Sequence, residues 1–335
     1  MTKRRKTILF AAILLPISLP AALVLAEFIL RATDAGKLRN PVLEPFAIAL
    51  DGGIHRVSQI PNLYWELAPN QREKFQGVWV TTNSRGFRDR DYGPRADAAR
   101  VVVLGDSITF GAAVAQDEAY PQALARLLNR RRKAEVINCA VSGYNFIQYA
   151  VNYERKARAY DPDLVVVGLF GDDVLPPYVP REKSAWLWLE LHSRLYLTVK
   201  RYLETTSLRL SAAQEFQTHE ANMAGLNRVI QFVNELRGEG RSVLFVLHPG
   251  LDDRERPEDN AVMNDVRHTL DLLRAPYIDL AQVYRARGGS LSRFSTNPPV
   301  ANPHPNALGH EAIAEAIDAY LQAHPEMLVR AKKEK

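Results

Sequence analysis

The strongest constraint on this chain is the run Val101-Val102-Val103-Leu104, broken at once by Gly105-Asp106-Ser107. Four uninterrupted β-branched and aliphatic residues are too few for a helix and suit a strand buried on both faces of a parallel sheet. Residues just past such a strand lie at its carboxyl end, where open α/β sheets bind their ligands. Gly105 permits the sharp turn there, and Ser107 is left with its hydroxyl toward the crevice. Given a base within reach, a serine so placed is a nucleophile.

The rest of the chain repeats this rhythm. Strands are predicted over about 100–105, 135–139, 163–169, 242–247 and 276–279, and helices over about 117–131, 146–160, 221–237, 258–273 and 307–323. Such alternation implies a doubly wound parallel five-stranded α/β sheet with right-handed crossovers in a flavodoxin-like order. Ahead of it, residues 32–98 form a lead-in region packing on the core, with Pro61–Trp65 and Val78–Thr82 as short strands. Between the third strand and the helix near Asn222 lies a helical insertion, residues 174–219, opened by Pro176, Pro177 and Pro180 and with helices predicted over 184–189 and 195–199. Connections this long without a strand of their own are usually functional, and Trp186 and Trp188 within it are assigned to substrate binding.

At 335 residues, with 47% hydrophobic and 24% charged residues, the chain is ordinary globular material. Its net charge of +5 is concentrated at the ends, in Lys3 to Lys6 and in Lys332, Lys333 and Lys335 of a basic tail spanning 326–335. The body between is close to neutral, which excludes a nucleic-acid partner. Behind Lys3 to Lys6 comes an uncharged stretch from Thr7 to Ala26, closed by Glu27 and Arg31. Its length is that of a membrane-spanning helix rather than a signal-peptide core, which spans about 7–15 residues. Residues 1–31 are thus expected to be a cytoplasmic basic flank and transmembrane signal anchor, with the remainder outside the cytoplasm. Secretion after cleavage near Val24-Leu25-Ala26 is the alternative. Cys139 is the single cysteine, so no intrachain disulfide forms, and its strand-end position reads as buried core.

Four segments, in order and each near a strand end, give the chain a family resemblance. Gly105-Asp106-Ser107 with Thr109 and Gly111, Asn138 to Asn145, Val165 to Asp173, and His304-Pro305-Asn306-Ala307-Leu308-Gly309-His310 resemble four blocks of the SGNH or GDSL hydrolase family. The match covers roughly residues 80–325, includes the lead-in Asn83 to Asp89, and puts the hydrolase-like domain at 99–325. It implies the SGNH-hydrolase fold, with Ser107 as nucleophile and His304 as general base and acid. The oxyanion hole would comprise Ser107, Gly143 and the residue at position 172. Asn145 is placed among the substrate-binding residues.

Two positions depart from the family pattern. Asp172 stands where the family has an asparagine amide, and an ionised carboxylate accepts but does not donate. Asn302, counted with Ser107 and His304 as catalytic, stands where an aspartate usually orients the histidine. His248 and His310 compete with His304 for the role of base and are read as structural. One cysteine and the absence of His-x-x-x-His spacing argue against a metal, and missing glycine-rich phosphate loops argue against a nucleotide cofactor.

The resulting expectation is a membrane-anchored, extracytoplasmic serine esterase or O-acyltransferase. It would act through an acyl-Ser107 intermediate on acyl esters, acetyl above all, of an envelope or exported glycan or lipid. The alternative is a catalytically degenerate homologue that binds acylated or glycan ligands as an assembly component.

Overall fold

The computed structural model describes residues 18, 20–32, 54–95, 97–174, 193, 195, 196, 198, 199, 213–251, 260–288, 290–296 and 304–330, with backbone alone at Asp172 and 213–222. The chain divides into two units. In the smaller unit, residues 20–32 are helical. Glu27 there pairs with Arg31 at 2.7 Å and accepts from the Ser193 hydroxyl and the Leu195 N–H. Leu23, Val24, Leu25, Phe28 and Ile29 of this helix are at least half exposed. Among the described residues no helix is long and apolar enough to cross a membrane.

The larger unit is built on a parallel sheet of β5 (Ala99–Leu104), β6 (Ala134–Asn138), β7 (Leu164–Leu169), β8 (Ser242–Leu247) and β9 (Tyr277–Asp279). The strands lie in the order β6-β5-β7-β8-β9, the doubly wound flavodoxin-like arrangement the alternation predicts. Every residue of β5 and of β7 is buried, as their Val/Leu runs require, and Arg100 within β5 is paired with Glu135 at 2.6 Å. Register places Val103 between Asn138 and Val166, so the carboxyl ends of β5, β6 and β7 finish side by side.

The helices of this unit, numbered along it, are α1 (Ser107–Phe110), α2 (Tyr120–Leu128), α3 (Phe146–Arg155), α4 (Ala213–Gly238, counted in this unit from Phe216), α5 (Ala261–Leu272), α6 (Leu280–Ala286) and α7 (Ala307–Ala323). On one face Leu124 and Leu128 of α2 and Ile313 and Ile317 of α7 pack on Val101, Val103 and Val136. On the other an aromatic cluster forms, with Phe146 edge-on to Phe232 at 5.7 Å and stacked on Phe245 at 6.3 Å. Edge-to-face and offset stacking suit the ring quadrupoles and stabilise beyond area burial.

Local differences from the predicted elements have local causes. A single 3-10 turn, Gln116–Glu118, precedes α2, which therefore starts at Tyr120 with Pro121 in its first turn. Helix α4 extends back to Ala213, into what the sequence reading assigned to the insertion. Helix α6, not predicted, follows β9 directly because the Asp279 carboxylate accepts the Ala281 N–H as a cap.

The lead-in holds two antiparallel hairpins, β1 (His55–Val57) with β2 (Trp65–Leu67) and β3 (Arg72–Phe75) with β4 (Val78–Thr81). Pro61 to Tyr64 is a turn rather than the predicted strand. Asn62 and Tyr64 take positive φ of 69° and 62°, which an extended run cannot accommodate.

Candidate active site

Ser107 opens α1, a single helical turn set at the end of β5. Asp106 caps it, one carboxylate oxygen accepting the Ile108 N–H at 2.9 Å and the other lying 3.3 Å from the Ser107 hydroxyl. Gly111, with φ of 87°, ends the turn in the left-handed conformation that glycine tolerates. The need for Gly105 is steric. A Cβ there would lie 2.0 Å from the Thr109 hydroxyl and 2.5 Å from its Cβ, so Thr109 occupies the space a side chain would need.

Facing it, His304 places Nε2 2.7 Å from Ser107 Oγ, within hydrogen-bond distance. For Nε2 to accept the serine proton, the neutral ring carries its proton on Nδ1. Backbone contacts on both sides hold the histidine. Its carbonyl accepts from Thr296 N at 2.8 Å, Pro305 bridges to Ser295, and Asn306 N donates to the Phe294 carbonyl. The Asn306 side chain caps α7 through Gly309 N and donates to the carbonyls of Arg293 and Ser295. Gly309 permits this close approach, since a Cβ there would lie 2.7 Å from the Phe294 carbonyl oxygen. The motif His-Pro-Asn-x-x-Gly is thus a device for fixing one imidazole above the sheet.

Gly143 lies on the turn after β6 with φ of 80°, again in the region that favours glycine. The lead-in supports this turn from beneath. Trp65 Nε1 donates to the Ser142 carbonyl at 3.2 Å, and the Tyr144 hydroxyl donates to the Trp65 carbonyl at 2.5 Å. No acceptor among the described residues takes the N–H of Ser107 or of Gly143. Asn145 is buried and its side-chain oxygen accepts Gln148 N at 3.1 Å, a cap for α3 that the sequence reading did not assign. Asp173, also buried, accepts the Phe170 N–H at 2.6 Å within the turn Gly171–Val174. The Asp172 side chain, Asn302, Trp186 and Trp188 lie outside the described residues.

The other two candidate bases are excluded by burial. His248 and His310 are buried behind the nucleophile, and desolvation pushes each down to about 3, so both are neutral at physiological pH. His310 Nδ1 accepts the Tyr120 N–H at 3.3 Å, and the two rings stack 6.1 Å apart. The Tyr120 hydroxyl pairs with that of Thr109 at 2.9 Å, linking this layer to the nucleophile's own helix. Cys139 is buried and its thiol is pushed well above its usual range, so it is core rather than a second nucleophile.

A serine and an imidazole at hydrogen-bond distance above the carboxyl edge of a parallel sheet define a serine hydrolase of the doubly wound α/β class. The chain matches the GDSL-like Lipase/Acylhydrolase family over residues 103–312 and belongs to it. Among solved structures it is similar to TesA, at 16% identity and a TM-score of 0.44, covering 67% of this chain and 98% of that one. It is similar to LAE5, an α/β hydrolase from the metagenome of Lake Arreo, at 17% identity and a TM-score of 0.44, covering 69% and 97%. It is likewise similar to Axe2, an acetylxylan esterase from Geobacillus stearothermophilus, at 14% identity and a TM-score of 0.44, covering 70% and 97%. No curated protein sequence matches it.

Proposed function

We propose that this GDSL-family hydrolase is a membrane-attached, extracytoplasmic esterase or O-acyltransferase. Its substrates would be acyl esters, acetyl above all, of an envelope or exported glycan or lipid. The observation that carries the acyl-transfer chemistry is the 2.7 Å contact between Ser107 Oγ and His304 Nε2. In the reaction, Nε2 takes the hydroxyl proton as Oγ bonds to the ester carbonyl carbon. The negative charge then on the carbonyl oxygen is met by the Ser107 and Gly143 N–H groups, which have no other acceptor among the described residues. Collapse breaks the ester C–O bond, and His304 returns its proton to the departing alkoxide. Water or an acceptor hydroxyl, deprotonated in turn by His304, then attacks the acyl-serine carbonyl carbon, and as the C–Oγ bond breaks His304 returns that proton to Oγ and frees Ser107.

Attachment to the membrane is supported by Lys3 to Lys6, the uncharged stretch from Thr7 to Ala26, and the exposed apolar side chains of the helix at 20–32. The formed Ser107–His304 pair weighs against the binding-only alternative, because a ligand-binding homologue has no need of an activated serine.

Fluorophosphonate labelling of the full-length protein tests the reading. Wild type should label, and Ser107→Ala and His304→Ala should abolish labelling. An equal signal in wild type and Ser107→Ala would refute it. Hydrolysis of an acetylated oligosaccharide, with and without an unacetylated acceptor, then separates esterase from transferase.

A further inference from the structure

The lead-in motif Asn83 to Asp89 has no part in the dyad, yet it delivers a buried cation to the back of the nucleophile's helix. Arg88 is fully buried. Its Nη1 donates to the carbonyls of Phe110 at 2.8 Å and Gly111 at 2.5 Å, and its Nη2 donates to that of Val114 at 2.8 Å. The guanidinium carbon sits 4.8 Å from the centroid of the Phe110 ring. Among the described residues no carboxylate lies within ion-pair distance of Arg88. A buried charge without a counter-ion is costly unless its hydrogen bonds are met, so this arrangement calls for a reason.

We propose that Arg88 is a positioning residue for the nucleophile, holding the carboxyl end of α1 so that Ser107 stays in register with His304. A helix of one turn cannot hold itself, and its last carbonyls have no partner within it. Here those carbonyls are held from outside. Arg88 takes Phe110 and Gly111, and Asn138 Nδ2 takes Thr109 at 3.2 Å. Asn138 is itself fixed, because its N–H donates to the Asp89 carboxylate at 2.8 Å. The lead-in turn that supplies Arg88 and Asp89 is rigid too. The Asn83 side-chain oxygen accepts from Arg85 N and Phe87 N, and Gly86, with φ of 69°, lies so close to the Leu67 carbonyl that a Cβ would meet it at 2.3 Å.

The planar fork of Arg88 is what spans three carbonyls; a lysine would bring one nitrogen and cannot straddle them. A displacement of Ser107 by about 1 Å costs on the order of 100-fold in rate, whereas Arg88, being fully buried, touches no substrate. The inference rests on Ser107 being the nucleophile, and wild-type labelling by a fluorophosphonate is the control for that separate reading.

The test uses full-length Arg88→Lys in mild detergent, with thermal unfolding recorded beside steady-state hydrolysis of p-nitrophenyl acetate and the second-order rate of fluorophosphonate inactivation. The expected result is a kcat lower by about 10- to 100-fold, a KM within about threefold, and an inactivation rate that falls with kcat. A merely structural role predicts fewer folded molecules, each reacting at the wild-type rate. Folded Arg88→Lys with wild-type kcat and inactivation rate overturns the proposal. Should Arg88→Lys not fold, Asn138→Leu releases the Thr109 carbonyl with Arg88 intact and should lower kcat about 3- to 10-fold at unchanged KM. Failure of both variants to fold, or an unchanged kcat in Asn138→Leu, overturns it as well.

Discussion

Acid should unfold this protein through histidines outside the catalytic pair. His55, His248 and His310 are buried, and desolvation lowers their pKa values from 6.5 to about 4, 3 and 3 respectively. Among the described residues, both ring nitrogens of His55 and of His248, and Nε2 of His310, have no hydrogen-bond partner, so no described group stabilises an imidazolium there. Each ring binds its proton more readily in the unfolded chain. Stability is therefore full above pH 6.5 and falls as the pH drops toward 4 and 3. At pH 5 each histidine costs about 2 kcal/mol relative to pH 7, or about 6 kcal/mol together. Asp89 works in the opposite sense, because burial raises its pKa from 3.8 to about 6 against several hydrogen bonds that lower it. Its folded carboxyl takes up a proton first and returns about 1 kcal/mol over the same interval. The net loss of about 5 kcal/mol matches the whole stability of a marginal domain. Urea unfolding followed by circular dichroism at pH 7, 6 and 5 should show the midpoint falling steeply with an unchanged slope. His55→Phe should remove about 2 kcal/mol of that pH dependence. A midpoint that is flat from pH 7 to pH 5, or a wild-type pH dependence in His55→Phe, would refute the reasoning.

Two further substitutions separate activity from packing. Gly105→Ala drives a methyl into Thr109, and since overpacking costs about 1–3 kcal/mol it should lower the thermal midpoint and reduce kcat together. Only a kcat reduced less than twofold would count against the close fit at that turn. Phe232→Ala, in the aromatic cluster away from α1, should cost about 3–5 kcal/mol in urea unfolding while leaving kcat/KM of the folded enzyme within about twofold. A tenfold fall in kcat/KM would mean that this face of the sheet is coupled to the site.

Much of the fold was legible because its strands are uninterrupted. β5, β7 and β8 each carry a continuous apolar run between turn residues, and a buried parallel strand has few other compositions. The short edge strand β9 was legible too, but the helix behind it was not. A cap donated by the strand's own last residue leaves no loop to mark the boundary. At the site, Ser107 could be singled out because it sits just past a buried strand, and His304 could be named as its base because its block resembles the family's. The capping role of Asn145 was not legible, because it depends on where Gln148 N lies and not on the identity of the residue. Arg88 stood in a quoted motif without a role, since its three acceptors are backbone carbonyls and leave no trace in side-chain identity.

From the residues alone came the parallel sheet, the turn at Gly105-Asp106-Ser107 and the order of the blocks, because each depends on near neighbours and on the period of apolar residues. Tertiary structure brought the base to the nucleophile. His304 is 197 residues away in the chain, and its ring reaches the serine while His248 and His310 are sealed in the core. It also set a buried arginine beneath the nucleophile. Proximity across a fold and the cost of desolvation are properties of the packed chain, and no local pattern of residues encodes them.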